Sequence, residues 1–342
     1  MLASLTNIFR VGDLRRKILF TLMMLVVFRI GTFVPVPNVN VELFQQNTNN
    51  LLGLLNTFSG GALANFSIFA MGIMPYITAS IIMQLLSMDV VPKLTQWARE
   101  GEVGRRKIAT VTRYATIVLG LIQSVGMTIG FNNMAPGLLN DTSIGSYALI
   151  ALTLTAGTAF MMWMGEQITE KGIGNGISIL IVAGIVAGIP GGITTIYTSQ
   201  FADPSQNLFF SILKVVLILL VILLIVVGVI FIQQGVRKIP VQYAKRVVGR
   251  KMYGGQSTHI PLKVNSAGVI PVIFSISLVM FPSTIAQFWV DGTGQGIANW
   301  IYDNFQVNRP LGMTLYAILI VGFTYFYTFV QINPVQMAEN MK

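Results

Sequence analysis

Few residues in this 342-residue chain have the types and spacing to do covalent chemistry. There is one histidine, His259, and no cysteine. That excludes a thiolate nucleophile and a disulfide framework, and it leaves too few ligands for a zinc site. The twelve Asp and Glu residues are scattered over polar stretches, so neither a Ser/His/Asp set nor a carboxylate pair can be assembled. The run GEQITEKGIGNGIS, from Gly165 to Ser178, has glycines at 172, 174 and 176. It lacks the GxxxxGK[ST] arrangement that cradles phosphates and the strand–turn–helix setting of a dinucleotide loop. It reads as a sharp turn between two apolar helices. No catalytic residue, cofactor or metal is expected, and no energy-converting motif is present.

Two other kinds of residue remain, and their chemistry is exclusion and charge. Isoleucines recur beside helix-perturbing residues. Ile73 and Ile77 lie four apart around Pro75, Ile177 and Ile181 repeat that spacing after Gly176, and Ile273 follows Pro271. Alone, they read as packing or lipid-facing side chains; the sharper reading is a branched apolar constriction that excludes water and ions by dewetting. The segment Arg237 to Lys263 holds seven basic residues and no acidic one. Alternation through Val241, Tyr243 and Lys245 predicts a β-hairpin. An extended basic hairpin suits docking of an acidic partner, with anionic lipid headgroups as the alternative. His259 lies here and reads as structural or exposed. A second basic loop runs from Lys93 to Arg113.

The elements that must position these residues follow from composition. The chain is 54% apolar and 10% charged, with a mean hydropathy of +0.70, against about a quarter charged in soluble domains. That rules out an ordinary soluble enzyme and a disordered chain. Spanning the hydrocarbon takes about 20 apolar residues in a helix. Eight candidate spans are predicted: Ile18 to about Val36, Asn65 to Met88, Ala109 to Phe131, Ile144 to Met164, Ile173 to about Ile193, Phe209 to Ile232, Val264 to Trp289 and Leu311 to Val330. The first is too long for a cleaved signal peptide and closes on Pro35 and Pro37. Eight crossings put both termini on one side. Of the 22 basic residues, all but Arg29, Lys214 and Arg309 fall on that side, so the positive-inside rule makes the N-terminus cytoplasmic.

No charge lies between Glu42 and Asp89. That stretch is too long for one helix and is interrupted by Asn56, Gly60, Gly61 and Asn65. A short re-entrant segment over about Leu54 to Ala64 is expected, the alternative being an interfacial loop. Within the spans only Arg29 and Lys214 are charged, both placed near outer helix ends from which they would snorkel. The absence of intramembrane acids argues against an ion-coupled transporter.

Four runs carry a family resemblance: FSGGALANFSIFAMGIMPYITASIIMQLL (Phe58 to Leu86), GEVGRRKIATVTRY (Gly101 to Tyr114), GEQITEKGIGNGISI (Gly165 to Ile179) and QSTHIPLKVNSAGVIPVIF (Gln256 to Phe274). They resemble SecY, the central subunit of the bacterial Sec protein-conducting channel, in a Bacillus-type wording, and the resemblance covers essentially the whole chain. It implies an all-α polytopic channel with a lateral gate toward lipid, a pore ring, a short plug helix and a basic cytoplasmic hairpin. Carried over by motif, the ring would be Ile73, Ile77, Ile177, Ile181 and Ile273. The plug would comprise Asn56, Thr57, Phe58, Ser59, Gly60, Gly61, Ala62 and Leu63. Gln84, Gln123 and Asn265 would be polar residues of the gate helices, bridging the closed gate or solvated by the funnel. Arg237, Lys238, Lys245, Arg246, Arg250 and Lys251 would dock the motor ATPase SecA or the ribosome. The small membrane subunits SecE and SecG, signal sequences, secretory polypeptides and lipid are the further partners implied, and the plasma membrane is the implied location.

The family has ten spans in two halves of five. The chain is expected to hold an N-terminal half over 1–200, with the plug at about 54–65, and a C-terminal half over 201–342 that lacks two spans, with the docking loop at 233–263. The reading is a passive channel for unfolded polypeptides that also releases apolar segments into lipid. A secondary transporter of small solutes and a membrane scaffold are the alternatives.

Overall fold

A computed structural model describes residues 11–41, 59–87, 91–134, 137–201, 208–242, 246–248, 251–253, 257–286, 289, 296–307 and 309–331. The chain forms two compact units, one from Met1–Gly192 with Ile276–Tyr316 and one from Ile193–Ser275 with Ala317–Lys342. The described elements are α1 (Gly12–Gly31), α2 (Met74–Leu86), α3 (Pro92–Arg99), α4 (Glu102–Met134), α5 (Ile144–Lys171), α6 (Gly176–Phe201), α7 (Leu208–Gln234), strands β1 (Val236–Gln242), β2 (Arg246–Val248), β3 (Lys251–Tyr253) and β4 (Ser257–Lys263), then α8 (Ile270–Ala286), α9 (Ile297–Asn304) and α10 (Pro310–Gln331). A helix lies in each of the eight predicted intervals. Five of them, α4, α5, α6, α7 and α10, are long and apolar enough to cross a membrane, while α2 and α8 are shorter apolar helices.

The second predicted span departs most from expectation. A helix was expected from Asn65, but α2 begins only at Met74, and residues 59–73 run as turns on either side of a bridge residue at Ser67. The described part of the expected plug helix is likewise turn, not helix. Backbone geometry gives the reason: φ is +68° at Gly60, +86° at Gly61, +39° at Phe66 and +57° at Gly72, values that no right-handed helix contains. Pro75 then occupies the first turn of α2, where its missing N–H leaves no bond unmade.

α1 stops before Pro35 and Pro37, which cannot continue a helix. The strand-like residues that follow pair with the turn segment instead. Pro35 bridges Ser67 antiparallel, Val36 N donates to Phe66 O at 3.0 Å, and Ile68 N donates to Val34 O at 3.0 Å. The core beneath is built from Val36, Leu63, Phe66, Ala70, Met71, Phe131, Leu138, Leu139, Ile150 and Leu154, with the Phe66 and Phe131 rings edge to face at 6.1 Å.

α4 packs along α5 through buried hydroxyls. Thr112, Thr116, Ser124, Thr128, Thr155 and Thr158 are all buried. Thr112, Thr116, Thr128 and Thr155 each donate to the carbonyl four residues earlier, at 2.7–2.9 Å. Ser124 and Thr155 meet across the helices at 3.3 Å. Small hydroxylated residues let apolar helices approach closely where lipid offers no hydrophobic drive for association. Gly157 on α5 faces the backbone of Ile68, and a Cβ there would overlap the Ile68 carbonyl oxygen.

In the second unit, β1 pairs antiparallel with β4 from Val236↔Lys263 to Gln242↔Ser257, and β2 pairs with β3 from Arg246↔Tyr253 to Val248↔Lys251. The base of this ribbon closes by a bond from Val264 N to Gly235 O at 2.9 Å. The predicted hairpin is therefore present as a two-tier ribbon. α7 exposes apolar side chains along its whole length, as a helix facing lipid or another membrane helix must. Phe274 on α8 sits edge-on to Phe323 and Tyr327 of α10 at 5.8 and 6.2 Å.

Candidate functional site

Each isoleucine of interest is set by a local break in a helix. Ile73 precedes α2 as its N-cap, and its carbonyl accepts from Ile77 N at 3.1 Å. The four-residue spacing thus becomes one turn, with Pro75 inside it. Both side chains are buried, at 5% and 9% exposure. Ile177 and Ile181 sit in the first turns of α6 and are half-buried. The turn ahead of them is tied at several points. Gly172 N caps α5 on Ile168 O at 2.8 Å, and Gly176 N donates to Thr169 Oγ1 at 2.8 Å. Asn175 Oδ1 accepts from Ile177 N and Ser178 N at 3.0 and 3.3 Å. Ile173 N reaches Thr21 Oγ1 of α1 at 3.2 Å. The glycine-rich run is therefore a side-chain-capped helix reversal, and it fixes the direction in which α6 presents its isoleucines. These four isoleucines belong to the first unit. Ile273, half-buried in the first turn of α8, belongs to the second.

Asn56, Thr57 and Phe58 lie outside the described residues. Ser59, Gly60, Ala62 and Leu63 are buried and Gly61 is half-buried. Leu63 N donates to Ser59 Oγ at 3.2 Å. Gly60 lies so close to Gly184 of α6 and the Phe28 ring that a Cβ would stand 3.0 and 3.2 Å from them. Arg29 Nη1 donates to the Gly60 carbonyl oxygen at 2.8 Å, and its guanidinium carbon stands 4.6 Å from the centre of the Phe33 ring. Further along, Asn65 Nδ2 donates to Thr32 O at 3.3 Å. Arg29 was expected to snorkel; its charge is instead engaged by a backbone carbonyl and an aromatic face. Sequence reasoning missed this role, and the one available signal was a lone cation in a span followed by a long uncharged, glycine-bearing stretch.

Gln84 on α2 and Gln123 on α4 are half-buried. Asn265, expected among the gate residues, uses its Oδ1 to accept from Gly268 N at 3.0 Å, which shapes the entry to α8. In the ribbon, Arg237 and Lys238 are exposed on β1. Arg246 and Lys251 occupy opposite strands of the outer tier, while Lys245 and Arg250 lie outside the described residues. The second basic loop is partly self-neutralised. Lys107 pairs with Glu100 and Arg106 with Glu102, both at 2.9 Å, and Arg113 bridges from α4 to Glu166 of α5 at 2.7 Å. Lys93 and Lys107 stand 5.6 and 5.7 Å from the Trp97 ring of α3. Among the described residues no cluster of metal-ligating side chains occurs.

Comparison with known proteins bears on this arrangement. The SecY family model matches residues 67–342. The protein translocase subunit SecY of Halalkalibacterium halodurans is 62% identical over 343 residues, covering 100% of this chain and 79% of the relative. That of Bacillus subtilis is 59% identical over 344 residues with the same coverage, and that of Staphylococcus aureus 51% over 346. In fold, the chain resembles a solved protein-conducting channel at a TM-score of 0.57 and 16% identity, covering 92% of this chain and 70% of the other. It resembles Sec61 of a canine ribosome–channel complex at the same score and identity, covering 95% and 75%. With family model, whole-length identity and channel fold in agreement, this multi-pass membrane chain belongs to the SecY family.

Proposed function

We propose that this chain is the pore-forming subunit of a protein-conducting channel, a passive conduit for unfolded secretory polypeptides and not an enzyme. The observation that carries the reading is 59–62% identity along the whole chain to protein translocase subunits, joined to a helix-rich fold that resembles protein-conducting channels. In this reading Ile73, Ile77, Ile177, Ile181 and Ile273 form the constriction, the segment Asn56 to Leu63 is the plug, and apolar segments leave between α2 and α4 on one side and α8 and α10 on the other. Branched apolar side chains seal by dewetting and yield to a chain that displaces them. A signal sequence opens the gate to the extent that it binds the open state better than the closed one.

Driving force comes from a partner. The basic ribbon with Arg237, Lys238, Lys245, Arg246, Arg250 and Lys251 is the docking surface for SecA or a ribosome, and SecE and SecG complete the membrane complex. The N-terminus lies in the cytoplasm of a bacterial cell, and the protein sits in its plasma membrane. The absence of acidic residues from the predicted spans favours this over an ion-coupled solute transporter. The test is crosslinking of a stalled secretory chain to a photoreactive residue at position 77 or 273. Adducts at both support the conduit; adducts only in the basic ribbon would point to a scaffold.

A further inference from the structure

We propose that Arg29 is a latch, a positioning residue that holds the turn segment 59–66 against α1 and so keeps the conduit closed. The inference rests on the plug reading above for its consequence but on geometry alone for the latch. A cation inside a span is costly unless it is partnered, and Arg29 has two partners, one distant in sequence and one four residues on. One is the Gly60 carbonyl at 2.8 Å, 31 residues away in sequence; the other is the face of Phe33. Arg29 is exposed within the chain and the bond is part-buried, but being charge-assisted it is stronger than one between neutral groups. The planar guanidinium can donate at its edge while its face stacks on a ring, and the compact ammonium of lysine cannot do both in the same way.

The carbonyl is offered to Arg29 because Gly60 takes φ +68° and lies against Phe28 and Gly184 with no room for a side chain. Downstream, the segment is held separately through Asn65 to Thr32 and by the pairing of 34–36 with 66–68. Breaking the Arg29 bond therefore removes one hold on the leading part of the segment, while the trailing part keeps its own anchors at 65–68. Any displacement of residues 59–63 must break this bond, so it stabilises the closed state selectively.

Because the chain has no cysteine, a single introduced thiol reports cleanly on the segment. Ala62 and Met164 are both fully buried, in the segment and in α5 respectively. The full-length protein carrying Ala62→Cys is labelled in membranes with a water-soluble thiol reagent, with and without Arg29→Met. A charged hydrogen bond corresponds to roughly a tenfold to hundredfold shift in such an equilibrium, so labelling is expected to rise at least about tenfold. Arg29→Lys should fall between wild type and Arg29→Met, and labelling at Met164→Cys should not change. No rise at position 62, or an equal rise at position 164, overturns the latch. Export of a reporter with a weakened signal sequence, which damage to the fold would lower, should rise in Arg29→Met. If labelling rises while export and ion leak stay at wild-type levels, the latch stands and the plug reading fails.

Discussion

Replacing Gly157 with alanine tests the packing of the turn segment most directly. A Cβ at this position would stand 2.9 Å from the Ile68 carbonyl carbon and closer still to its oxygen, where ordinary contacts begin near 3.4 Å. The carbonyl oxygen sets the limit, so the backbone of residues 67–68 must retreat by more than about 1 Å. It is not free to do so, because Ile68 N is bonded to Val34 O and Ser67 is bridged to Pro35. Overpacking of this kind costs about 1–3 kcal/mol, and the loss of one pairing bond adds about 0.5–1.5 kcal/mol. Better helix propensity returns up to about 1 kcal/mol, leaving a net destabilisation of about 0.5–4.5 kcal/mol. Gly228 on α7 supplies the matched control, since nothing lies within 4 Å of its added Cβ. There the same substitution should stabilise by about 0.5–1 kcal/mol. Thermal unfolding of the two purified variants in one detergent should shift in opposite directions. A Gly157→Ala protein as stable as Gly228→Ala would refute the close approach of α5 to residues 67–68.

Two further outcomes follow from the charges. The Arg113–Glu166 pair joins α4 to α5 with both side chains partly exposed, so a double-mutant cycle with Arg113→Gln and Glu166→Gln should give a coupling of about 0.2–1 kcal/mol that shrinks with added salt; zero coupling at low salt would mean the pair is not formed in solution. On the docking proposed above, charge reversal at Arg237 and Lys238, exposed on β1, should weaken binding of SecA or a ribosome mainly through a slower, salt-sensitive on-rate, and an unchanged on-rate at low salt would count against that docking.

The sequence alone determined the environment and the broad architecture. Apolar runs of about 20 residues mark the spanning helices because the bilayer demands that every backbone group be satisfied within the segment. The ribbon was readable from alternation because side chains on a strand repeat every two residues. The turn at Gly172 to Gly176 was visible as glycine spacing. These are local or nearly local rules, and the structure follows them.

Tertiary structure decided the segment from Ser59 to Ile73. Composition there is apolar and contiguous with α2, so periodicity extends the helix back to Asn65. The turns exist because residues 34–36 offer their backbone groups to 66–68, a pairing between stretches about 30 residues apart that no window of sequence contains. Arg29 shows the same limit. A cation near the end of a span looks like one reaching for the headgroups, and only the arrival of Gly60 at 2.8 Å gives it a backbone partner. Backbone carbonyls are present at every residue and carry no sequence signature, so which of them meets a given side chain is a property of the fold.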